Sequence, residues 1–168
     1  MENDSFENLS KVCEIFNKHS VEYLVIGGSA VAFYGYPRQS LSPSGTTADK
    51  PDLDLWYNPT YENYFKVLNA MHELGEDVSR LKAEKAPNPK KSFFRFNRKE
   101  FTLDLLPEVP GLSKFHASYA RKTEAKSGAI TVPLISYEDL VISKEKLSRT
   151  KDMEDIKELG LRRGGRKR

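Results

Sequence analysis

A short stretch near the N-terminus joins a strand to a helix through two glycines and a serine. The segment YLVIGGSAVAFYG starts at Tyr23 with apolar residues typical of a buried strand and then breaks at Gly27, Gly28 and Ser29. The apolar run that resumes at once predicts two turns of buried helix, to about Tyr34, because a hairpin would need a second strand. The strand must pair within a sheet and the helix must cover it, so the junction requires layers of helices and strands.

The rest of the chain extends this pattern. Apolar spacing, turn residues and capping signals predict the order of the other elements. They are a helix at 5–18, strands at 52–57, 92–96, 101–106 and 130–135, and helices from Asn58-Pro59 to Gly75, from Ser136 to Leu147 and from Thr150 to about Leu159. We therefore expect an α+β fold of mixed layers, with a central mixed sheet flanked by helices.

Length and charge predict one domain with a basic end. A chain of 168 residues is the size of a single domain, which we place at residues 1–160. Five of the positive charges lie in the final RRGGRKR, and without them the net charge of +3 becomes slightly negative. We expect 161–168 to be a disordered tail, with a polyanion contact as the alternative.

Composition and motif content exclude several classes. No apolar run approaches the roughly 18 residues of a membrane span, so we expect a cytoplasmic protein without a membrane partner. Cys13 is the only cysteine, which excludes a disulfide framework, and its place on an apolar helical stripe indicates a core residue. The three histidines have no metal-ligand spacing. Neither G-x-G-x-x-G nor G-K-[ST] occurs, so Rossmann and P-loop sites are excluded.

Three aspartates stand on predicted strands in positions that need an explanation. Asp52 and Asp54 are two apart in DLDLWY, so both point to one face with bases about 6.6 Å apart. Asp104 repeats the pattern in FTLDLL. Three carboxylates repel one another unless a cation joins them, and Mg²⁺ prefers such oxygen ligands. The alternative is that they are exposed edge residues or partners of Arg95 and Arg98.

The glycine junction favours the metal interpretation. Backbone amides at a helix start after glycines bind phosphate, and Ser29 can add a hydroxyl. The junction would then let a triphosphate approach the backbone beside the carboxylates.

Together these segments resemble a known family. In order, YLVIGGSAVAFYGYPR, DLDLWYNP, FTLDLLPEVPG and ISYEDLVISKEKLSRTKDMEDIKEL are similar to the small stand-alone bacterial nucleotidyltransferases of the DNA polymerase β superfamily. These minimal nucleotidyltransferases are often found in toxin–antitoxin and phage-defence settings. The resemblance covers about residues 21–159, and it implies the polymerase β-like nucleotidyltransferase fold.

The resemblance implies transfer of a nucleoside monophosphate from an NTP to an acceptor hydroxyl, with release of pyrophosphate. Two Mg²⁺ or Mn²⁺ ions would be held by the three aspartates, with Asp104 on the acceptor side. The acceptor could belong to RNA, protein or a small molecule. The alternative is a non-catalytic protein of the same fold that binds a partner, such as an antitoxin in a toxin–antitoxin pair.

The resemblance also suggests residues that hold the nucleotide. Gly27, Gly28 and Ser29 would bind its phosphates. Lys144 and Arg149 match a lysine and an arginine of the family, and from there a cation could meet the triphosphate; a solvated helix face is the alternative. Asp152 and Asp155 are expected to cap and charge the last helix rather than bind metal.

Two further features stay open at this point. The link between Arg38 and Asp52 is longer than in the family, so either Thr46 or Thr47 could take the family threonine position, and the role of Asp49 and the 39–51 loop is undecided. Trp56 is on the face of the acidic pair and could stack on a base, but a wall of the pocket is the preferred interpretation.

Overall fold

The computed structural model describes residues 2–35 and 50–166. The elements in this part of the chain follow in sequence order. They are α1 (Glu2–Lys18), β1 (Tyr23–Ile26), α2 (Gly27–Phe33), β2 (Asp52–Tyr57), α3 (Tyr61–Glu73), α4 (Ser79–Ala83), a 3₁₀ turn (Pro89–Lys91), β3 (Phe94–Asn97), β4 (Thr102–Leu106), α5 (Phe115–Ala120), β5 (Thr123–Ser127), β6 (Ile130–Leu134), α6 (Tyr137–Leu147) and α7 (Thr150–Arg166).

The six strands form one mixed sheet in the order β3-β4-β2-β1-β6-β5. Strand β2 is parallel to β4, and β1 is parallel to β6. The β1–β2, β3–β4 and β5–β6 pairs are antiparallel. The predicted α+β class with a central mixed sheet is therefore confirmed.

Alternation along β2 and β4 separates a core face from a polar face. Leu53, Leu55, Leu103 and Leu105 are fully or almost fully buried and belong to the hydrophobic core that also takes in residues of α1 and α3. Because successive side chains of a strand point to opposite faces, the residues between these leucines face the other way. The predicted acidic positions are among those residues, so the core packing fixes the face on which they lie.

The glycine junction is tighter than predicted. Helix α2 begins directly at Gly27, where Ser29 was the expected start, and its N-cap residue is Ile26. Gly27 has φ +62°, a backbone conformation that glycine adopts at little steric cost. The left-handed turn at this one residue lets the chain leave β1 and enter α2 without a loop.

Several other boundaries differ from the prediction. Helix α3 begins at Tyr61 and not at Pro59, because the Thr60 side chain caps it by accepting a hydrogen bond from the Asn63 N–H. Helices α4 and α5 and strand β5 were not predicted. Strand β5 is the sequence TEAKS at the sheet edge, and it lacks the apolar alternation by which strands are recognised.

The last helix is longer than expected. Helix α7 continues to Arg166, past the predicted end near Leu159 and into the segment 161–168 that we expected to be a disordered tail. The predicted end of this helix near Leu159 is thus wrong, while the division into a single domain at 1–160 and a disordered tail at 161–168 stays a prediction.

Two expectations about composition can be compared with the described residues. Cys13 is buried, and its burial raises the pKa of the thiol to about 11, so it is a core residue and not a nucleophile. Within residues 2–35 and 50–166 no helix has the length and apolar character needed to cross a membrane.

Candidate active site

Asp54 and Asp104 are neighbours across two parallel strands. The register of β2 and β4 pairs Asp54 with Asp104 and Asp52 with Thr102. Paired residues of adjacent strands point to the same side of the sheet, about 4.8 Å apart along the hydrogen-bonding direction. The three predicted aspartates therefore share one face, although the second and the third are fifty positions apart in the sequence. Asp52 is exposed, Asp54 half-buried and Asp104 buried.

The neighbourhood of Asp54 disfavours its negative charge. Burial is the main reason that its pKa is raised from 3.8 to about 6, and the charges of Asp104 and Asp52 raise it further. Lys144 and Lys151 act in the opposite direction, which means that cations from α6 and α7 lie near this carboxylate. At Asp54, burial and the two like charges thus outweigh the effect of the nearby lysines on its pKa.

Asp104 has a specific cationic partner in β3. The antiparallel β3–β4 register puts Arg95 opposite Asp104. Its guanidinium donates from Nε to Oδ1 at 2.8 Å and from Nη2 to Oδ2 at 2.9 Å. Arg98, the other proposed partner, instead forms an ion pair with Glu76 at 2.9 Å. The alternative in which arginines neutralise the aspartates is therefore correct for Arg95 and wrong for Arg98.

The glycine junction lies directly against this acidic face. A Cβ at position 27 would stand 2.5 Å from Oδ2 of Asp54, closer than any side chain tolerates. The backbone can approach the Asp54 carboxylate this closely only because residue 27 is a glycine. Gly28 and Ser29 follow in the first turn of α2 and are half-buried. That these residues bind phosphate stays a prediction.

Lys144 is buried, so the alternative of a solvated helix face is wrong for it. Only 3% of the residue is exposed, and its Nζ lies 3.2 Å from Oδ1 of Asp152 and 3.0 Å from Oδ2 of Asp155. Both carboxylates are fully buried. Arg149 donates from Nε to Asp152 at 2.6 Å, and its side chain is half exposed. These four residues form an ion network between α6 and α7.

The ion network also explains the roles of the two acidic residues of α7. Burial alone would raise the pKa of Asp152, but the hydrogen bond from Arg149 and the charge of Lys144 outweigh it, so the pKa is lowered. Asp152 also accepts the backbone N–H of Arg149 at 3.2 Å, which is the predicted capping role. Asp155 contacts Lys144 instead of the helix start.

Trp56 is buried in the core and does not present a stacking surface. Its side chain is 1% exposed, its Nε1 donates to the Pro107 carbonyl at 3.1 Å, and its ring packs edge-to-face on Phe115. Stacking of Trp56 on a base is therefore wrong for this arrangement, and its role as a pocket wall stays a prediction. Thr46, Thr47 and Asp49 fall outside the described residues.

The arrangement of ligands for a metal ion is only partly present. Between residues 2–35 and 50–166, no group of three or more His, Cys, Asp or Glu side chains is close enough to hold a metal ion. Both oxygens of Asp104 are engaged by Arg95. The donor set nevertheless fits Mg²⁺, because it consists of carboxylate oxygens on one face whose mutual repulsion a cation would relieve.

Comparisons with known proteins give limited information. No family model and no curated protein matches the sequence. Among solved structures, the chain is similar to an antigenic nucleotidyltransferase-like protein from Paracoccidioides brasiliensis, with 15% identity and a TM-score of 0.49. The similarity covers 93% of this chain and 75% of that one. A likeness of this degree assigns neither a family nor an activity to this chain.

Proposed function

We propose that this protein is a nucleotidyltransferase that moves a nucleoside monophosphate from an NTP to an acceptor hydroxyl. The observation that carries the proposal is the parallel pairing of Asp54 with Asp104, with Asp52 on the same face and Gly27 packed against Asp54. Strands β2 and β4 place these carboxylates close together, although burial and mutual repulsion disfavour the ionised form of Asp54. An unfavourable cluster of this kind is typical of a functional site.

Asp52, Asp54 and Asp104 are the residues that would hold Mg²⁺ or Mn²⁺. Bound there, two such ions would stabilise the charge on the attacking and leaving oxygens. In the transfer, a bond forms between the acceptor oxygen and the α-phosphorus, and the bond from the α-phosphorus to the bridging oxygen breaks, so pyrophosphate leaves. The proton of the acceptor hydroxyl would pass to a carboxylate oxygen of Asp104.

The cations of α6 and α7 would face the triphosphate. Lys151 is exposed and the side chain of Arg149 is half exposed, so both can reach a nucleotide from solvent, whereas Lys144 is buried against two carboxylates. We therefore assign direct phosphate contact to Arg149 and Lys151. Lys144 would hold α6 and α7 in the positions from which those two side chains reach the nucleotide. Ser29 and the amides of Gly27 and Gly28 would bind phosphate from the other side.

A thermal-shift comparison tests nucleotide binding. Wild-type protein, Asp54→Asn and the control Asp77→Asn are melted with and without Mg²⁺ or Mn²⁺ and each NTP. Asp77 is an exposed aspartate that bonds Ser79, so its substitution leaves the acidic face intact. We expect a cation-dependent rise in melting temperature for wild type and Asp77→Asn but not for Asp54→Asn. If no NTP stabilises the wild type with either ion, the non-catalytic binding protein becomes the better account.

A further inference from the structure

Both carboxylate oxygens of Asp104 are engaged by a single planar cation. The two hydrogen bonds from Arg95, at 2.8 and 2.9 Å, form the parallel fork that guanidinium and carboxylate groups favour. A divalent cation at Asp104 would need an oxygen of the same carboxylate and the same negative charge. Although each oxygen keeps a second lone pair, the guanidinium charge beside both oxygens repels a cation that approaches them, so Arg95 and a divalent cation compete for Asp104.

The two partners differ in how firmly the fold holds them. The Asp104 side chain is 11% exposed, whereas that of Arg95 is 63% exposed. Arg95 lies on β3, the edge strand of the sheet. Its guanidinium is also 5.6 Å from the centre of the Phe93 ring, which is itself half exposed. Arg95 can therefore leave Asp104 without disturbing the core, and the Asp104 ion pair is not its only contact, because it already lies over the Phe93 ring.

We propose that Arg95 is a displaceable counter-ion of Asp104. It neutralises the carboxylate while no divalent cation is bound, and the cation must displace it to use Asp104 as a ligand. This inference rests on the proposed function, because it requires Asp104 to be a cation ligand. Arg95 is then a positioning residue that acts through Asp104 and raises the cation concentration at which the site fills.

A purely supporting role for Arg95 makes the opposite prediction. If the guanidinium only held Asp104 in the orientation that a cation needs, its removal would weaken cation binding. If it competes, its removal strengthens binding, because both the hydrogen bonds and the nearby positive charge are lost. The sign of the change in affinity therefore separates the two roles.

The test is a Mn²⁺ titration of the full chain without nucleotide, in which free Mn²⁺ is followed by electron paramagnetic resonance. The variants are Arg95→Met, Arg95→Lys and the control Arg121→Met. Arg121 makes a matched ion pair elsewhere: its side chain is 53% exposed and bonds both oxygens of Asp139, which is 4% exposed.

We expect Arg95→Met to lower the Mn²⁺ dissociation constant about three- to tenfold, the range for losing an exposed but forked ion pair. Arg95→Lys should lower it less, because lysine keeps the charge and loses the fork. Arg121→Met should leave it unchanged. Circular dichroism checks folding, and if Arg95→Met does not fold, Arg95→Lys alone decides.

Each result bears on the inference. Unchanged or weaker Mn²⁺ binding by the Arg95 variants, with clear binding by wild type, overturns the inference and leaves the proposed function standing. The same drop in dissociation constant for Arg121→Met also overturns it, because the effect would then reflect net charge alone. If wild type and all variants bind no Mn²⁺ without nucleotide, the inference is overturned, whereas the proposed function is still decided by the thermal-shift comparison with NTP present.

Discussion

The backbone of Gly27 lies so close to the Asp54 carboxylate that a Cβ on the glycine would be 2.5 Å from Oδ2. This contact ties the strand–helix junction to the acidic face. The junction and the carboxylates are thus parts of one site, and changes to either should affect the other.

Gly27→Ala should destabilise the protein by more than its backbone strain alone. The residue has φ +62°, which costs a non-glycine residue about 1 kcal/mol, and the clash with Asp54 adds about 1–3 kcal/mol. Urea unfolding with EDTA measures the loss. Gly128 has φ +61° with nothing within 4 Å of an added Cβ, so Gly128→Ala reports the strain alone. Equal losses in both variants would contradict the close contact with Asp54.

Asp54→Asn should stabilise the cation-free protein, and the gain should depend on pH. The folded-state pKa of Asp54 is about 6 against an ordinary 3.8, so the folded protein binds the proton more tightly than the unfolded chain does. Ionised Asp54 therefore destabilises the fold above about pH 6, and protonation removes this penalty as the pH falls to about 4. We expect a gain of up to about 3 kcal/mol at pH 7. It should disappear near pH 4, as measured by urea unfolding in EDTA. A gain that does not vary with pH would show that Asp54 carries no such penalty.

Lys144→Met should be strongly destabilising. It leaves Asp152 and Asp155 buried without the cation that both contact, and breaking a buried ion pair in this way costs about 3–5 kcal/mol. Lys146→Met in the same helix removes an exposed lysine and should change the free energy of unfolding by less than about 0.5 kcal/mol. Chemical unfolding of the two variants makes the comparison. If they lost similar stability, the ion network would not be holding α6 and α7 together.

Strong local patterns were sufficient to predict the elements around the site. The alternation in DLDLWY gave β2 with its observed bounds, and the Ser136 cap gave the start of α6, where its side chain accepts the Asp139 N–H. The alternation of leucines and aspartates also predicted that Asp52, Asp54 and Asp104 share one face. Packing of the leucines in the core decides which face of each strand the aspartates occupy. The bounds of a strand, a helix cap and the face of a side chain on a strand depend on residues nearby in sequence. They can therefore be predicted before the fold is known.

The electrostatic partners depend on register and tertiary packing, which the sequence does not show. If the strands predicted at 92–96 and 101–106 formed a hairpin with its turn over residues 97–100, Phe93 would lie opposite Asp104. The turn actually spans Arg98 to Phe101, and this shift puts Arg95 there. The proximity of Lys151 to Asp54 and the burial of Lys144 depend on how α6 and α7 pack, and no local pattern signals either.

The central claim is that the face of Asp54 and Asp104 transfers a nucleotide, and the most direct measurement is transfer of label from α-³²P NTPs. The proteins compared are wild type, Asp54→Asn and Asp77→Asn. Each is incubated with one NTP, with Mg²⁺ or Mn²⁺, and with tRNA, lysate protein or aminoglycosides as the acceptor. Released pyrophosphate is measured in parallel. For wild type and Asp77→Asn we expect label on one acceptor class and an equal amount of pyrophosphate. For a folded Asp54→Asn we expect neither. Transfer by Asp54→Asn at the wild-type rate would contradict it.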